Sequence, residues 1–150
     1  GEIALVILEK ARTKNTSIHL PLDHVLARSA EAGAVTRTVE SLPFPDDMLG
    51  VDIGPKTVAA YAAVIAGART IFWNGPMGIF EIEEFARGTI GIAKAIAESG
   101  AVSIVGGGDS VAAVRKAGVT DKISHISTGG GASLEYIAYE TLPGITALEN

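Results

Sequence analysis

The chain has 150 residues, 47% hydrophobic and 19% charged, which suits one globular domain with a moderate core and excludes a disordered polymer. Its net charge of −5 disfavours a nucleic-acid surface, which needs a basic face. It has no cysteine, hence no disulfide frame and no zinc–thiolate site, and no apolar run approaches the length of a membrane span. These features fit a cytoplasmic protein. The first residues show no basic leader pattern, so no signal peptide is expected. They also lack Met and start inside a helical pattern, so the chain is expected to be a fragment.

Ile3, Val6, Ile7, Lys10 and Ala11 have helical spacing, ending before Asn15. Residues 17–20 form a short apolar run closed by Pro21 and read as a strand, continued extended over 23–27. Residues 35–39 alternate and are rich in β-branched side chains, the pattern of a strand with one wet face. Pro43 and Pro45 make 41–47 a loop, and the apolar run 48–53 stops at Gly54-Pro55. Pro55 suits the first turn of a helix running to about Ala66 and ended by Gly67. A regular alternation follows: strand 70–73 (its apolar start reading as buried), helix 83–98, strand 101–105, helix 109–117, strand 123–126 and helix 132–141, then a tail over 145–150. Strand, loop and helix three times over mean βα units on a parallel sheet.

Each of the three strands feeds a loop rich in glycine. The first is Trp73-Asn74-Gly75-Pro76-Met77-Gly78-Ile79-Phe80-Glu81. The second is Gly106-Gly107-Gly108-Asp109-Ser110, and the third is Thr128-Gly129-Gly130-Gly131-Ala132-Ser133. In an open α/β sheet such loops lie where ligands bind, and glycine lets backbone approach a ligand closely. Three of them converging on one crevice argue for a phosphate-bearing ligand. Gly106, Gly107 and Gly108 would present N–H groups at a helix start, where the dipole favours an anion. Asp109 beside them could hold Mg²⁺ on the phosphates, and Ser110 could donate to a phosphate. Equally, Asp109 could be only the N-cap of its helix and the glycines a tight turn. Gly129, Gly130 and Gly131 could receive a phosphoryl group in flight, or could simply allow close packing of helix on sheet. Glu81 could accept hydrogen bonds from ribose hydroxyls or merely face a helix N-terminus, Asn74 could bond a phosphate or cap a turn, and Trp73 reads as core. His19, His24 and His125 lack metal spacing and read as structural or surface residues. Neither a Walker A loop nor G-x-G-x-x-G is present, so a dinucleotide-dependent oxidoreductase is disfavoured.

Taken in order, Asp52-Ile53-Gly54-Pro55, the stretch 73–81, the stretch 106–110 and Ser127-Thr128-Gly129-Gly130-Gly131-Ala132-Ser133-Leu134-Glu135 resemble the carboxyl-terminal part of phosphoglycerate kinases. Leu142-Pro143-Gly144-Ile145 is similar to that family's tail, so the resemblance covers essentially the whole chain. It implies an α/β, Rossmann-like parallel sheet with flanking helices, with residues 1–150 as an incomplete nucleotide-binding domain of a two-domain kinase. The implied reaction transfers a phosphoryl group between 1,3-bisphosphoglycerate and Mg-ADP, giving 3-phosphoglycerate and ATP in glycolysis. By the same resemblance Asp109 would hold Mg²⁺, Ser110 and Asn74 would meet phosphates, and Glu81 would bind the ribose. Gly75, Pro76 and Met77 would line the ribose and base, Gly54 would lie near the adenine pocket, and Gly129, Gly130 and Gly131 would face the transferring phosphoryl group.

Nothing here corresponds to the family's amino-terminal domain, which holds phosphoglycerate, or to its Gly-Ala-Lys-Val segment, whose lysine helps hold phosphate. The isolated chain is therefore expected to have little or no kinase activity, to leave apolar faces uncovered and to associate with further polypeptide or with itself. The family itself is expected to be mostly monomeric. Two other readings stand beside this one: a nucleotide-binding module without catalysis, and a structural fragment whose loops close on no ligand.

Overall fold

The computed structural model describes residues 2–40 and 42–148; Gly1, Ser41 of the expected loop and the last two positions of the expected tail lie outside them. Helix α1 (Glu2–Thr13) opens the chain as its spacing predicts. Three short strands follow: β1 (His24–Ala27), β2 (Arg37–Val39) and β3 (Leu49–Ile53). They form a separate antiparallel sheet in the order β2-β1-β3, which the sequence pattern does not announce. Residues 17–20, expected as a strand, are irregular, and β2 is shorter than the alternating run suggests. The hydroxyl of Tyr61 donates to the His19 carbonyl, so that stretch runs over the following helix and not into a ladder.

Helix α2 (Pro55–Ala66) has Pro55 in its first turn and stops at Gly67, both as expected. Its start is held by a residue far back in sequence. Asp23 accepts hydrogen bonds from the N–H groups of Lys56 and Thr57 and from the Thr57 hydroxyl, supplying the acceptors that the first turn of a helix lacks. Burial alone would push the Asp23 carboxyl up; these hydrogen bonds and the Lys56 charge outweigh it and hold its pKa below the ordinary range.

Three βα units then build the expected parallel sheet, ordered β4-β5-β6, from β4 (Thr70–Trp73), β5 (Val102–Gly106) and β6 (His125–Ser127). The strand β4 is an edge strand: Thr70 is exposed and Ile71 and Phe72 are half-buried, so the run expected to be buried is not, whereas Trp73, expected as core, is buried. The expected helix over 83–98 divides into a 3₁₀ turn (Glu83–Phe85) and α3 (Arg87–Glu98). Thr89, Ile92, Ala93 and Ile96 recur at helical spacing and bury one face of α3 in the main core with Val105, Val111 and Val114. Helix α4 (Gly108–Lys116) starts one residue before the sequence expectation. Its N-cap is Gly107, so Asp109 lies inside the first turn and makes no capping bond, contrary to the N-cap alternative. Helix α5 (Gly130–Tyr139) starts two residues earlier than expected and follows a 3₁₀ turn (Thr120–Lys122) and β6. The segment read as a tail begins with a short helix, α6 (Pro143–Leu148).

Among the described residues no helix is long and apolar enough to cross a membrane. Ile3, Leu5, Val6, Ile7 and Leu8 on α1, and Leu134, Tyr136, Ile137 and Tyr139 on α5, are exposed, in line with the expectation of uncovered apolar faces. Of the three histidines, His19 and His125 are exposed and His24 packs edge-on against the Phe44 ring, centroids 5.0 Å apart.

Candidate nucleotide site

The three glycine-rich loops meet at the carboxyl end of the parallel sheet. Asn74, just past β4, donates from Nδ2 to the Gly106 carbonyl at 3.1 Å. The Gly107 N–H donates to the Ser127 carbonyl at 3.0 Å, which ties the second loop to the third. A Cβ on Gly130 would fall 2.7 Å from Gly107 Cα and 2.8 Å from Asn74 Nδ2, so all three loops touch at this point.

The glycines divide by cause. Gly106 and Gly130 are glycine because side chains or backbone crowd them; a Cβ on Gly106 would lie 2.9 Å from the Phe72 ring. Gly75 and Gly107 are glycine because their φ values, +114° and +94°, lie where other residues are strained. Gly108 and Gly131 have neither reason: a Cβ on either would meet open space. Gly129 has only ordinary contacts, and its N–H donates to Ser127 Oγ at 3.3 Å. The N–H groups of Gly130 and Gly131 belong to the first turn of α5, and those of Gly108 and Asp109 to the first turn of α4, where no intrahelical acceptor exists. Two helix starts stripped of side chains thus lie side by side, a ready environment for anionic oxygens.

Asp109 is exposed at the start of α4 and its carboxylate has no hydrogen-bond or ion-pair partner among the described residues. No cluster of three or more potential metal ligands occurs among those residues. A lone free carboxylate beside backbone donors fits Mg²⁺, which is usually held by one or two carboxylates plus phosphate oxygens and water. It does not fit a metal caged by protein ligands alone. Ser110 is 1% exposed, and its hydroxyl oxygen accepts the Gly75 N–H at 2.6 Å. It therefore pins the first loop to α4. Glu81 is exposed at the far end of the first loop and its carboxylate has no protein partner among the described residues. Pro76 and Met77 lie between, half-buried. Gly54 lies at the end of β3; a Cβ there would strike the Asp23 carboxylate, which accounts for the glycine without a ligand.

Sequence reasoning missed the side chains that hold the first loop in place. The buried Thr89 hydroxyl accepts the N–H groups of Met77 at 3.0 Å and Gly78 at 3.3 Å. Lys116 Nζ donates to the carbonyls of Phe80 at 2.6 Å and Glu81 at 3.2 Å. Asp52, 6% exposed, accepts the Gly88 N–H at 2.6 Å and the Ile53 N–H at 2.9 Å, and its carboxylate fills the space that side chains at Gly78 and Gly88 would need. Burial pushes the Asp52 carboxyl up to about 6, against the opposing pull of those two N–H groups. A charged residue inside the apolar run 48–53 is the one sequence signal that could have marked it.

The sequence matches the phosphoglycerate kinase family over residues 1–140. A phosphoglycerate kinase of Rubrobacter xylanophilus is 62% identical across 86% of this chain and 33% of its own length. One of Chlorobium limicola is 55% identical across 99% of this chain and 38% of its own length. Among solved structures, the phosphoglycerate kinase of Coxiella burnetii superposes with a TM-score of 0.89 at 43% identity, over 97% of this chain and 38% of that one. That of Pyrococcus horikoshii gives 0.78 at 39% identity, over 94% and 35%. The chain thus spans about a third of the length of the relatives it matches.

Proposed function

Because the chain belongs to the phosphoglycerate kinase family, we propose that residues 1–150 supply the nucleotide-binding domain, in incomplete form, of a kinase that transfers a phosphoryl group between 1,3-bisphosphoglycerate and Mg-ADP. The observation that carries this reading is the pair Gly108 and Gly131. Neither is explained by packing or backbone conformation, both lie in the first turns of helices whose starts touch at Gly107 and Gly130, and a free carboxylate, Asp109, stands in the first of those turns.

In this reading Gly106, Gly107, Gly108, Ser110 and Asn74 receive the nucleotide phosphates. Gly75, Pro76 and Met77 line the ribose and base, Glu81 accepts the ribose hydroxyls, and Gly54 borders the base region. Asp109 holds Mg²⁺, which when bound neutralises charge on the phosphate oxygens. The backbone N–H groups of Gly130 and Gly131 orient the phosphoryl group and stabilise the charge that develops on it, with Gly129 setting the loop they follow. Phosphoglycerate would be held by polypeptide beyond these residues, and the working enzyme would be cytoplasmic and glycolytic.

A second reading has its own support. The crevice residues 74–77, 106–110 and 127–131 include no Lys or Arg, and Lys116 is occupied by main-chain carbonyls. Phosphoryl transfer needs more cationic charge than that, so these 150 residues tested by themselves should bind nucleotide without turning it over. Exposed apolar faces on α1 and α5 support association with further polypeptide or a second copy. The test is calorimetric titration of the folded chain with ADP, with and without Mg²⁺, on the parent and on Asp109→Asn. We expect saturable binding that Mg²⁺ tightens in the parent only. Equal loss of metal-free and Mg²⁺-dependent affinity in the variant would remove Asp109 from the metal role, and no binding by a folded chain would remove the nucleotide site from this chain alone.

A further inference from the structure

Helix α4 touches the proposed nucleotide site at both ends. Its first turn carries Asp109 and Ser110; its last residue is Lys116, roughly 9 Å further along the axis from Ser110 at the usual rise per residue. The Lys116 side chain turns back under the first loop and donates to two consecutive carbonyls, those of Phe80 and Glu81. These carbonyls belong to the two peptide planes on either side of Glu81 Cα. Peptides are planar, so fixing both planes fixes the backbone angles of Glu81 and the direction in which its side chain leaves the chain.

Lys116 also lies near Glu83, at 3.6 Å, and an ordinary surface ion pair is the alternative account of it. Distance and exposure decide against that. The Glu83 carboxylate is 84% exposed, where such pairs contribute little, whereas the contact with the Phe80 carbonyl is short, at 2.6 Å, and the Lys116 side chain is only 28% exposed. Lysine normally keeps its ammonium in water, so one drawn under a loop onto main-chain oxygens is held for what it does to the loop.

We propose that Lys116 is a positioning residue for Glu81, setting the carboxylate's direction and tying it to the helix that presents Asp109 and Ser110. This rests on the reading of Glu81 as the ribose acceptor. One rigid element then sets the separation between the group that meets the ribose and the groups that meet the phosphates, so a nucleotide with ribose and phosphates in the standard order is measured against α4. A ligand lacking either part loses the benefit of that alignment.

The test compares Lys116→Met, Lys116→Arg and Glu81→Ala with the parent 150-residue chain in two readouts. The first is amide hydrogen exchange without nucleotide. Ile79, Phe80 and Ile82 have hydrogen-bonded N–H groups in this loop. Lys116→Met should speed their exchange on the order of tenfold while the β5 amides stay as in the parent, and Lys116→Arg should restore most of the protection. The second is the ratio of affinities for ADP and 2′,3′-dideoxy-ADP. It should fall on the order of tenfold in Lys116→Met, and at least as far in Glu81→Ala, because misplacing a binding group costs much of its effect. Unchanged loop exchange in Lys116→Met overturns the proposal whether or not nucleotide binds. A ratio unchanged in Glu81→Ala removes the ribose reading and leaves the loop-positioning part to stand or fall on exchange. If Lys116→Met does not fold, Lys116→Gln, which keeps most of the side-chain length and a neutral donor, takes its place in both readouts.

Discussion

Asp52 makes a prediction whose sign and size follow from its surroundings. Its carboxylate lies between Gly78 and Gly88, hydrogen-bonded to the Gly88 and Ile53 N–H groups, and burial raises its pKa from an ordinary 3.8 to about 6. A raised carboxyl pKa means that the folded chain holds its proton more tightly than the unfolded chain. Below about pH 3.8 both states are protonated and the contribution to stability is complete; as pH rises through about 6 the folded state must ionise a buried group and the contribution is lost. At about 1.4 kcal/mol per tenfold change, the loss between those limits is roughly 3 kcal/mol. Asn at this position never ionises, so Asp52→Asn has no such loss. It does have a fixed cost: an amide offers one acceptor oxygen where the carboxyl group offers two, leaving one buried N–H without a partner, about 1–3 kcal/mol at every pH. Urea unfolding at about pH 4.5, 6 and 7.5 on parent and variant separates the two effects. The stability difference should swing towards the variant by about 2 kcal/mol between about pH 4.5 and 7.5, because only the parent acquires an ionisation cost over that range. A stability difference that stays constant across this range would show that Asp52 does not titrate there, and the burial argument would fall.

Gly130→Ala should destabilise the chain by about 1–3 kcal/mol, because its Cβ would lie 2.7 Å from Gly107 Cα, whereas Gly131→Ala, with open space around its Cβ, should be neutral or slightly stabilising; thermal or urea unfolding decides, and a loss at Gly131 as large as that at Gly130 would refute the division of the glycines. Gly131→Ala should nonetheless weaken ADP binding if that opening serves the ligand. Asp23→Ala should cost about 2 kcal/mol or more by uncapping α2 and stranding the buried Thr57, and since the Asp23 pKa is lowered the deficit should be present above the ordinary 3.8 and shrink as pH falls below it, the opposite slope to Asp52.

The parallel half of the fold was legible because each element carries its own local signature. Strand runs of three to five residues feed glycine-rich loops, and the helices that follow have an apolar face at helical spacing. The antiparallel sheet was not legible, because its pairing is set by contacts that spacing does not report. Strand β1 joins β3 antiparallel with a register shift between Val25 and Leu26, and no short hairpin turn announces the arrangement. Residues 17–20 show the opposite failure: they have strand-like composition but, among the described residues, no neighbouring strand to complete a ladder. The 3₁₀ turn at Glu83–Phe85 splits what periodicity alone makes one helix, since the buried Phe85 belongs to the core around Val51 and the Thr89 face to the core around Val105.

The site divides along the same line. Glycine clusters, Asn74, Asp109 and Glu81 could be picked out because each is unusual where it stands, yet sequence left every one of them with two readings. Structure separates those readings one position at a time. For Gly106, Gly130 and Gly54 the packing reason suffices; for Gly108 and Gly131 it fails; for Asp109 the capping reason fails because Gly107 takes the N-cap. The residues that hold the site were invisible for a different reason. Thr89, Asp52 and Lys116 act by side-chain bonds to main-chain groups 11 to 36 positions away, on neighbours that only the folded sheet brings together. A loop rich in glycine gains freedom to approach a ligand and loses the means to hold its own shape. Its shape must then come from outside it, and here it comes from four side chains, those of Ser110, Thr89, Asp52 and Lys116, all on the elements that flank the crevice. Changes at Thr89, Asp52 and Lys116 should therefore alter nucleotide binding without these side chains touching the nucleotide, and a survey confined to the three glycine-rich loops would miss them.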